Sequence, residues 1–169
     1  MDSFEMKIKL LHYWRFKRRY MWTATEVGRF NSDVLASDGK HIVECEVKTT
    51  FQDLKNDFKK TVQNRKKHEI YSAPTVWYSK YLPNKFYFAI PEELTIEAKS
   101  FLKDTSNGII EINNKKLSND KKINYCKIVK RASIIYPKFN EKLHHQILLR
   151  MGSEVIRLRL DLMESLRYP

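Results

Sequence analysis

Two acidic residues and a lysine alternate with apolar residues in the stretch Ile42–Thr50. Glu44, Glu46 and Lys48 are separated by Cys45 and Val47, and β-branched strand formers flank the group. Successive side chains of a strand point to opposite faces of a sheet, so the three charged residues are expected on one face. Burying charge is costly unless the charge is paired or binds a metal. The pattern therefore predicts a polar site on one face of a strand.

A third acid joins this face through a predicted hairpin. Asp38-Gly39 lies between two strand-like runs, which favours a two-residue type I′ turn. In that register Asp33 faces Glu44 and lies diagonally across from Glu46, with Cβ atoms roughly 7–8 Å apart. Both carboxylates are then able to reach one ion.

These residue types suit a hard cation next to a phosphate. Mg²⁺ or Mn²⁺ is held by one or two carboxylates together with waters and substrate phosphate. Lys48 is expected about 6.6 Å beyond Glu46 on the same face, where it would hold a phosphate oxygen or an attacking water. The alternative is a salt-bridge cluster on a solvated sheet face.

The order of these residues resembles a known nuclease superfamily. Asp33 followed by Glu46-Val47-Lys48 is similar to the D…(D/E)xK signature of the PD-(D/E)XK nucleases. Over residues 26–94 the chain further resembles the MmcB-like group of DNA-repair proteins and its phage relatives, in the segments Arg29–Ala36, Val43–Thr50, Asp53–Lys60 and Phe86–Pro91.

The resemblance implies a fold, a cofactor and a set of roles. The fold would be α/β with a restriction-endonuclease-like core, in which a mixed central sheet carries the Asp-Gly hairpin and has helices on both faces. Asp33 and Glu46 would bind Mg²⁺ or Mn²⁺, the carbonyl of Val47 would be a third ligand, and Lys48 would be the catalytic lysine. Ser32 replaces the proline of the family motif.

Members of this superfamily often add an acid from an N-terminal helix. The candidates here are Glu5, which helix capping explains equally well, and Glu26. Glu44 is either a ligand or an edge-side charge.

Composition points to a polyanionic partner. The 169 residues carry 32 Lys and Arg against 20 Asp and Glu, a formal net charge of +12. Such an excess is typical of nucleic-acid binding. The basic residues expected to contact DNA phosphates, unless they form ordinary charged helix surfaces, are Lys17, Arg18, Arg19, Lys59, Lys60, Arg65, Lys66 and Lys67.

Several classes are disfavoured. Cys45 and Cys126 have no zinc-like spacing, and the N-terminus carries acids where a signal peptide needs basic and apolar residues. No apolar run approaches the roughly 20 residues of a membrane span. A cytoplasmic protein without membrane association is expected.

Periodicity predicts the elements that position the site. The prediction is a helix over 3–20 capped by Asp2, strand regions over 22–37 and 40–50, a helix over 51–67, a strand over 85–90, a helix over 92–102, strands over 109–112 and within 125–135, and an amphipathic helix over 140–166.

The predicted organisation is a nuclease-like domain over 1–139 and a C-terminal helix over 140–169. That helix either packs on the domain or forms the seam of a homodimer. The expected function is metal-dependent DNA hydrolysis with little sequence specificity, in DNA repair, recombination or phage DNA processing. One rival is a DNA-binding protein that keeps this fold without turnover. The other is a protein-binding module, such as a phage factor that engages a host complex.

Overall fold

A six-stranded mixed sheet forms the centre of the protein. The computed structural model describes residues 1–27, 31–62, 65–72, 79, 81–117 and 123–167. The helices are α1 (Ser3–His12), α2 (Phe51–Asp57), α3 (Lys67–Ser72), α4 (Thr95–Phe101) and α5 (Glu141–Arg167). The strands are β1 (Trp22–Val27), β2 (Ser32–Ser37), β3 (Ile42–Val47), β4 (Thr61–Val62), β5 (Arg65–Lys66), β6 (Lys85–Pro91), β7 (Gly108–Ile112) and β8 (Cys126–Lys130).

The sheet has the strand order β1-β2-β3-β6-β7-β8. Strands β1, β2 and β3 form antiparallel pairs, β6 lies parallel to both β3 and β7, and β8 closes the far edge antiparallel to β7. A separate hairpin joins β4 and β5. The predicted mixed α/β sheet and long C-terminal helix are confirmed.

Helices pack on both faces of the sheet. Met6 and Leu10 of α1 cover one face through Val43, Cys45 and Tyr87. The other face is covered in two parts. Helices α2, α3 and α4 pack on β6 and β7, whereas α5 packs on β1 and β2 through Leu143 and Ile147. The Glu44–Glu46 face of β3 therefore lies under helices, as the apolar neighbours on that face require.

The hairpin before β3 is longer than predicted, which changes its register by two residues. Val34 pairs with Cys45 and Ser37 with Ile42, so Asp33 lies beside Glu46 rather than Glu44. The carboxylate of Asp38 accepts bonds from the backbone N–H groups of Lys40 and His41 at 2.8 and 2.7 Å, which stabilises a four-residue loop instead of a type I′ turn. A shift of two residues keeps every side chain on its predicted face.

The prediction of a single strand region over 22–37 is also wrong. Strands β1 and β2 are two antiparallel strands joined across residues 28–31, of which 28–30 lie outside the described residues. Asn31 has a φ of +49°, which suits a tight connection.

The helix predicted over 51–67 ends ten residues early. Thr50 caps α2 by accepting from the N–H of Asp53 at 3.1 Å, and Asp57 ends it. Asp57 is fully buried in ion pairs with residues that come later in the chain, and β-branched Thr61 opens a hairpin. Tertiary bonds thus override a continuous helical pattern.

The two terminal helices agree with the predicted starts. Asp2 caps α1, which passes into one π-helical turn over Tyr13–Lys17 and ends before residue 20. Asn140 caps α5 by accepting from the N–H of Leu143 at 3.0 Å. Among the described residues no helix is long and apolar enough to cross a membrane.

Candidate metal and lysine site

A polar cavity of about 570 Å³ opens at the carboxyl end of β3. Asp33 from the start of β2, together with Glu46, Val47 and Lys48 from the end of β3, forms one wall. The rest of the lining consists of Ser3, Asn31, Asp53, Lys60, Thr61 and Lys67. All four residues of the predicted motif thus meet in one concave site.

Asp33 and Glu46 form a carboxyl pair at the centre of this cavity. Their side chains lie within hydrogen-bonding reach of each other, and Asp33 Oδ2 also accepts from the Val47 N–H at 2.8 Å. Burial opposes ionisation of Asp33, yet bonds from Lys7 and Val47 outweigh it and lower its pKa. Burial, reinforced by Glu44 and Asp33, raises the pKa of Glu46 to about 7 even though Lys67 opposes this. Two carboxyls this close share either a proton or a cation.

Glu44 is held away from the cavity in a buried ion pair. Lys67 Nζ lies 2.6 Å from Glu44 Oε1 and 2.5 Å from Glu46 Oε1. Tyr71 donates to Glu44 Oε2 at 2.6 Å. Glu44 is 1% exposed. Burial of the Tyr71 side chain, together with the nearby charge of Glu44, raises the pKa of Tyr71. Glu44 therefore orients Lys67, which in turn fixes one oxygen of Glu46.

Lys48 is fixed by Asp57, a residue that the sequence pattern did not single out. Its ammonium lies 2.7 Å from Asp57 Oδ1 and 3.6 Å from Glu46 Oε2. The other Asp57 oxygen lies 2.8 Å from His68 Nε2, and the His68 ring stacks on Phe58. Burial favours the neutral form of Asp57, but the His68 bond and the Lys48 charge lower its pKa. Lys48 thus stands between two carboxylates, one structural and one in the carboxyl pair.

The N-terminal helix contributes a lysine rather than an acid. Lys7 of α1 forms ion pairs with Glu26 and, at 2.8 Å, with Asp33 Oδ1. Glu26 adopts a left-handed φ of +52° and accepts from Asn31 Nδ2 at 3.0 Å. Its link to Asp33 is indirect, because Lys7 lies between the two carboxylates and pairs with both. Glu5 pairs with Lys9 at 2.7 Å, outside the cavity lining.

The carboxyl pair fits a hard cation of the Mg²⁺ type. Among the described residues no group of three or more His, Cys, Asp and Glu side chains is arranged around a metal position. A cation here would rest on Asp33, Glu46 and the carbonyl of Val47, with waters and phosphate oxygens completing the shell, as Mg²⁺ commonly does. The pKa of Glu46 is raised chiefly by burial, with the charges of Glu44 and Asp33 adding to the shift and Lys67 opposing it, so a cation that binds here must displace a proton from the pair.

The predicted phosphate contacts divide into three groups. Lys59, Lys60 and Lys66 are exposed near the cavity, and the side chain of Arg65 lies outside the described residues. Lys17, Arg18 and Arg19 lie at the other end of α1. Lys67 is only 3% exposed and pairs with two glutamates, so the prediction that it lies on an outer helix face is wrong.

The site residues missed at the sequence level are Lys7, Asp57, His68 and Tyr71. They reach the site from three helices, Lys7 from α1, Asp57 from α2 and both His68 and Tyr71 from α3, and none has a local spacing that links it to Glu46. Only the long-range contacts between elements bring them together.

Comparison with known proteins supports the fold alone. No family model matches the chain, and no curated protein matches it. A solved structure, the SPO1766 protein of unknown function from Silicibacter pomeroyi, aligns with 100% of this chain and 95% of its own at a TM-score of 0.60 and 14% sequence identity. The protein is therefore an α/β protein similar in fold to that structure.

Proposed function

We propose that this protein is a Mg²⁺- or Mn²⁺-dependent deoxyribonuclease of the PD-(D/E)XK type with a restriction-endonuclease-like core. The observation that carries the proposal is the Asp33–Glu46 carboxyl pair on the wall of an open cavity, with the Lys48 ammonium 3.6 Å from Glu46. The net charge of +12 supports a polyanionic substrate.

Each residue would have a distinct task in phosphodiester hydrolysis. Mg²⁺ or Mn²⁺, when bound, supplies a Lewis acid that polarises a phosphoryl oxygen and lowers the pKa of a bound water. Asp33 and Glu46 would hold the cation. Lys48 donates to the attacking water or to a nonbridging phosphate oxygen, and stabilises the charge that develops at phosphorus. Asp57 would hold the Lys48 ammonium in its position next to Glu46.

The direct test is cleavage of linear and supercoiled DNA with Mn²⁺ by Glu46→Ala and Lys48→Ala variants. Each change is expected to lower the rate by about 100-fold or more, because each removes charge stabilisation at the reacting phosphate. Glu69→Ala is the matched control, since Glu69 is exposed on α3. If both site variants cut as fast as the wild type, the assignment is wrong.

A second candidate is DNA binding without hydrolysis. The observation in its favour is that lysines already neutralise both carboxylates, since Lys7 pairs with Asp33 and Lys67 with Glu46. Titration calorimetry with Mn²⁺ separates the two. The nuclease binds the metal and loses this binding in Glu46→Ala, whereas the binding-only protein takes up DNA but no metal.

A further inference from the structure

A second cavity lies at the far end of α1 from the carboxyl pair. It has a volume of about 1000 Å³ and lies on the sheet face that α1 covers, against Tyr13 and Tyr87. Its rim carries six basic side chains, which are Lys17, Arg18, Lys85, Lys115, Lys127 and Arg131. No other described cavity concentrates so many cations.

The positive charge of this cavity is not balanced by carboxylates. Within the described part of the chain, five of the six cations, all except Lys17, make no ion pair with an acid within 4.0 Å. Glu111 also lines the cavity, but its carboxylate accepts from Thr95 Oγ1 at 2.9 Å, and Thr95 begins α4 on the opposite face of the sheet. Lys127 pairs with Glu111 across the strands and lies on that same opposite face, at the edge of the cavity. The cavity therefore presents cations to an external anion.

Two buried hydroxyls add hydrogen-bonding capacity beside the cations. Tyr13 and Tyr87 are 8% and 4% exposed. Burial raises the pKa of both, so both phenols stay protonated at neutral pH; the charge of Arg18 opposes the shift at Tyr13, and a bond accepted from the backbone N–H of Ala132 opposes it at Tyr87, whose O–H remains a donor. Guanidinium groups and hydroxyl donors together are a common set of phosphate ligands.

From this arrangement we infer that the basic cavity binds phosphate groups of the DNA backbone at a second position, away from the reacting phosphodiester. The inference rests on the proposed function for the identity of the polyanion. Ser3 lines the carboxyl cavity and Lys17 the basic cavity. At 1.5 Å per helical residue the two are roughly 20 Å apart, which corresponds to about six base pairs at 3.4 Å each. One duplex would thus be held at two points along α1.

The test is the salt dependence of DNA binding, measured in EDTA so that no cutting occurs. A 20-base-pair duplex is titrated with the wild type, with Arg18→Ala/Arg131→Ala, which removes the two guanidinium groups whose charges act on Tyr87, and with the control Lys99→Ala/Lys103→Ala. The control removes the same charge from exposed positions in and just after α4. Loss of two phosphate contacts is expected to reduce the slope of log K against log salt by about 1.8. The control slope should match that of the wild type.

Equal weakening of DNA binding in the variant and the control would overturn the inference, since net charge alone would then explain binding. A wild type that binds no duplex would also overturn it. Failure of the proposed hydrolysis looks different. In that case the wild type binds DNA with the expected slopes but shows no metal-dependent cutting, and the basic cavity keeps its role.

Discussion

Glu46 is an acid that the fold surrounds with two other acids and largely removes from water. Burial first, and then Glu44 and Asp33, raise its pKa from 4.5 to about 7. A carboxyl whose pKa is higher in the folded state binds more protons there, so stability falls as pH rises from about 4.5 to about 7. A cation between Asp33 and Glu46 would reverse this penalty.

We therefore expect the metal-free protein to lose stability between pH 5 and pH 7.5 relative to Glu46→Gln, by an amount on the order of 3 kcal/mol. Mn²⁺ should restore stability to the wild type at pH 7.5, restore less at pH 5, and leave Glu46→Gln unchanged. Urea unfolding at both pH values, with and without Mn²⁺, measures this. Parallel pH profiles for the two proteins would contradict the role of Glu46.

Asp57 is a positioning residue for Lys48, because it touches the ammonium but lies behind it at 0% exposure. Asp57→Asn keeps the shape and removes the charge. The expected result is a kcat lowered about 10- to 100-fold with a smaller change in KM, since the ground-state contacts to DNA remain. Partial rescue by Asp57→Glu would mark positioning. The control is Asp161→Asn on the exposed side of α5. A change in KM with kcat unaltered would contradict the positioning role of Asp57.

Helix α3 is joined to the sheet by a buried lysine as well as by its apolar side chains. Lys67 opens the helix and pairs with Glu44 and Glu46 on β3. Burial would lower its pKa, but the two glutamates raise it, so the ammonium stays charged.

Lys67→Met should destabilise the protein by about 3–5 kcal/mol, because it leaves two buried glutamates without their cation. The neighbouring Lys66, which is 54% exposed, is the matched control, and Lys66→Met should change stability by less than about 0.5 kcal/mol. Chemical denaturation compares the two variants. Similar losses in both would show that the buried pairs contribute little.

Some helices and strands were predicted correctly from their local sequence pattern alone. Strand β6, the capped start of α1 and the long α5 are set by periodicity and capping residues. The end of α2 is different. The helix ends at Asp57, which is bonded to His68, eleven residues later in the chain.

At the scale of the whole molecule, the distal part of α5 carries several exposed apolar side chains. Residues at least 50% exposed there are Val155, Ile156, Leu158, Leu160, Leu162 and Met163. Among the side chains that the structure describes, those that pack on β1 and β2 belong to the proximal part, through Leu143, Ile147 and Met151. Exposed apolar patches of this kind commonly serve association, and the homodimer, one of the two roles that the sequence allows for this helix, stays a prediction.

Sedimentation should therefore find a dimer at micromolar concentration, and Leu158→Glu/Leu162→Glu should convert it to a monomer with an unchanged fold. Ile96→Glu, at a position 84% exposed on α4, is the control and should leave the dimer intact. A wild type that is monomeric at every concentration would rule out this seam.

The sequence alone determined that Asp33, Glu46 and Lys48 share one sheet face, because strand alternation and a hairpin of either loop length give the same faces. It also determined the excess of positive charge. The tertiary structure decided that Asp33 lies beside Glu46, that Lys67 is buried and that Asp57 holds Lys48. These features depend on contacts between elements far apart in the chain, which local spacing does not encode.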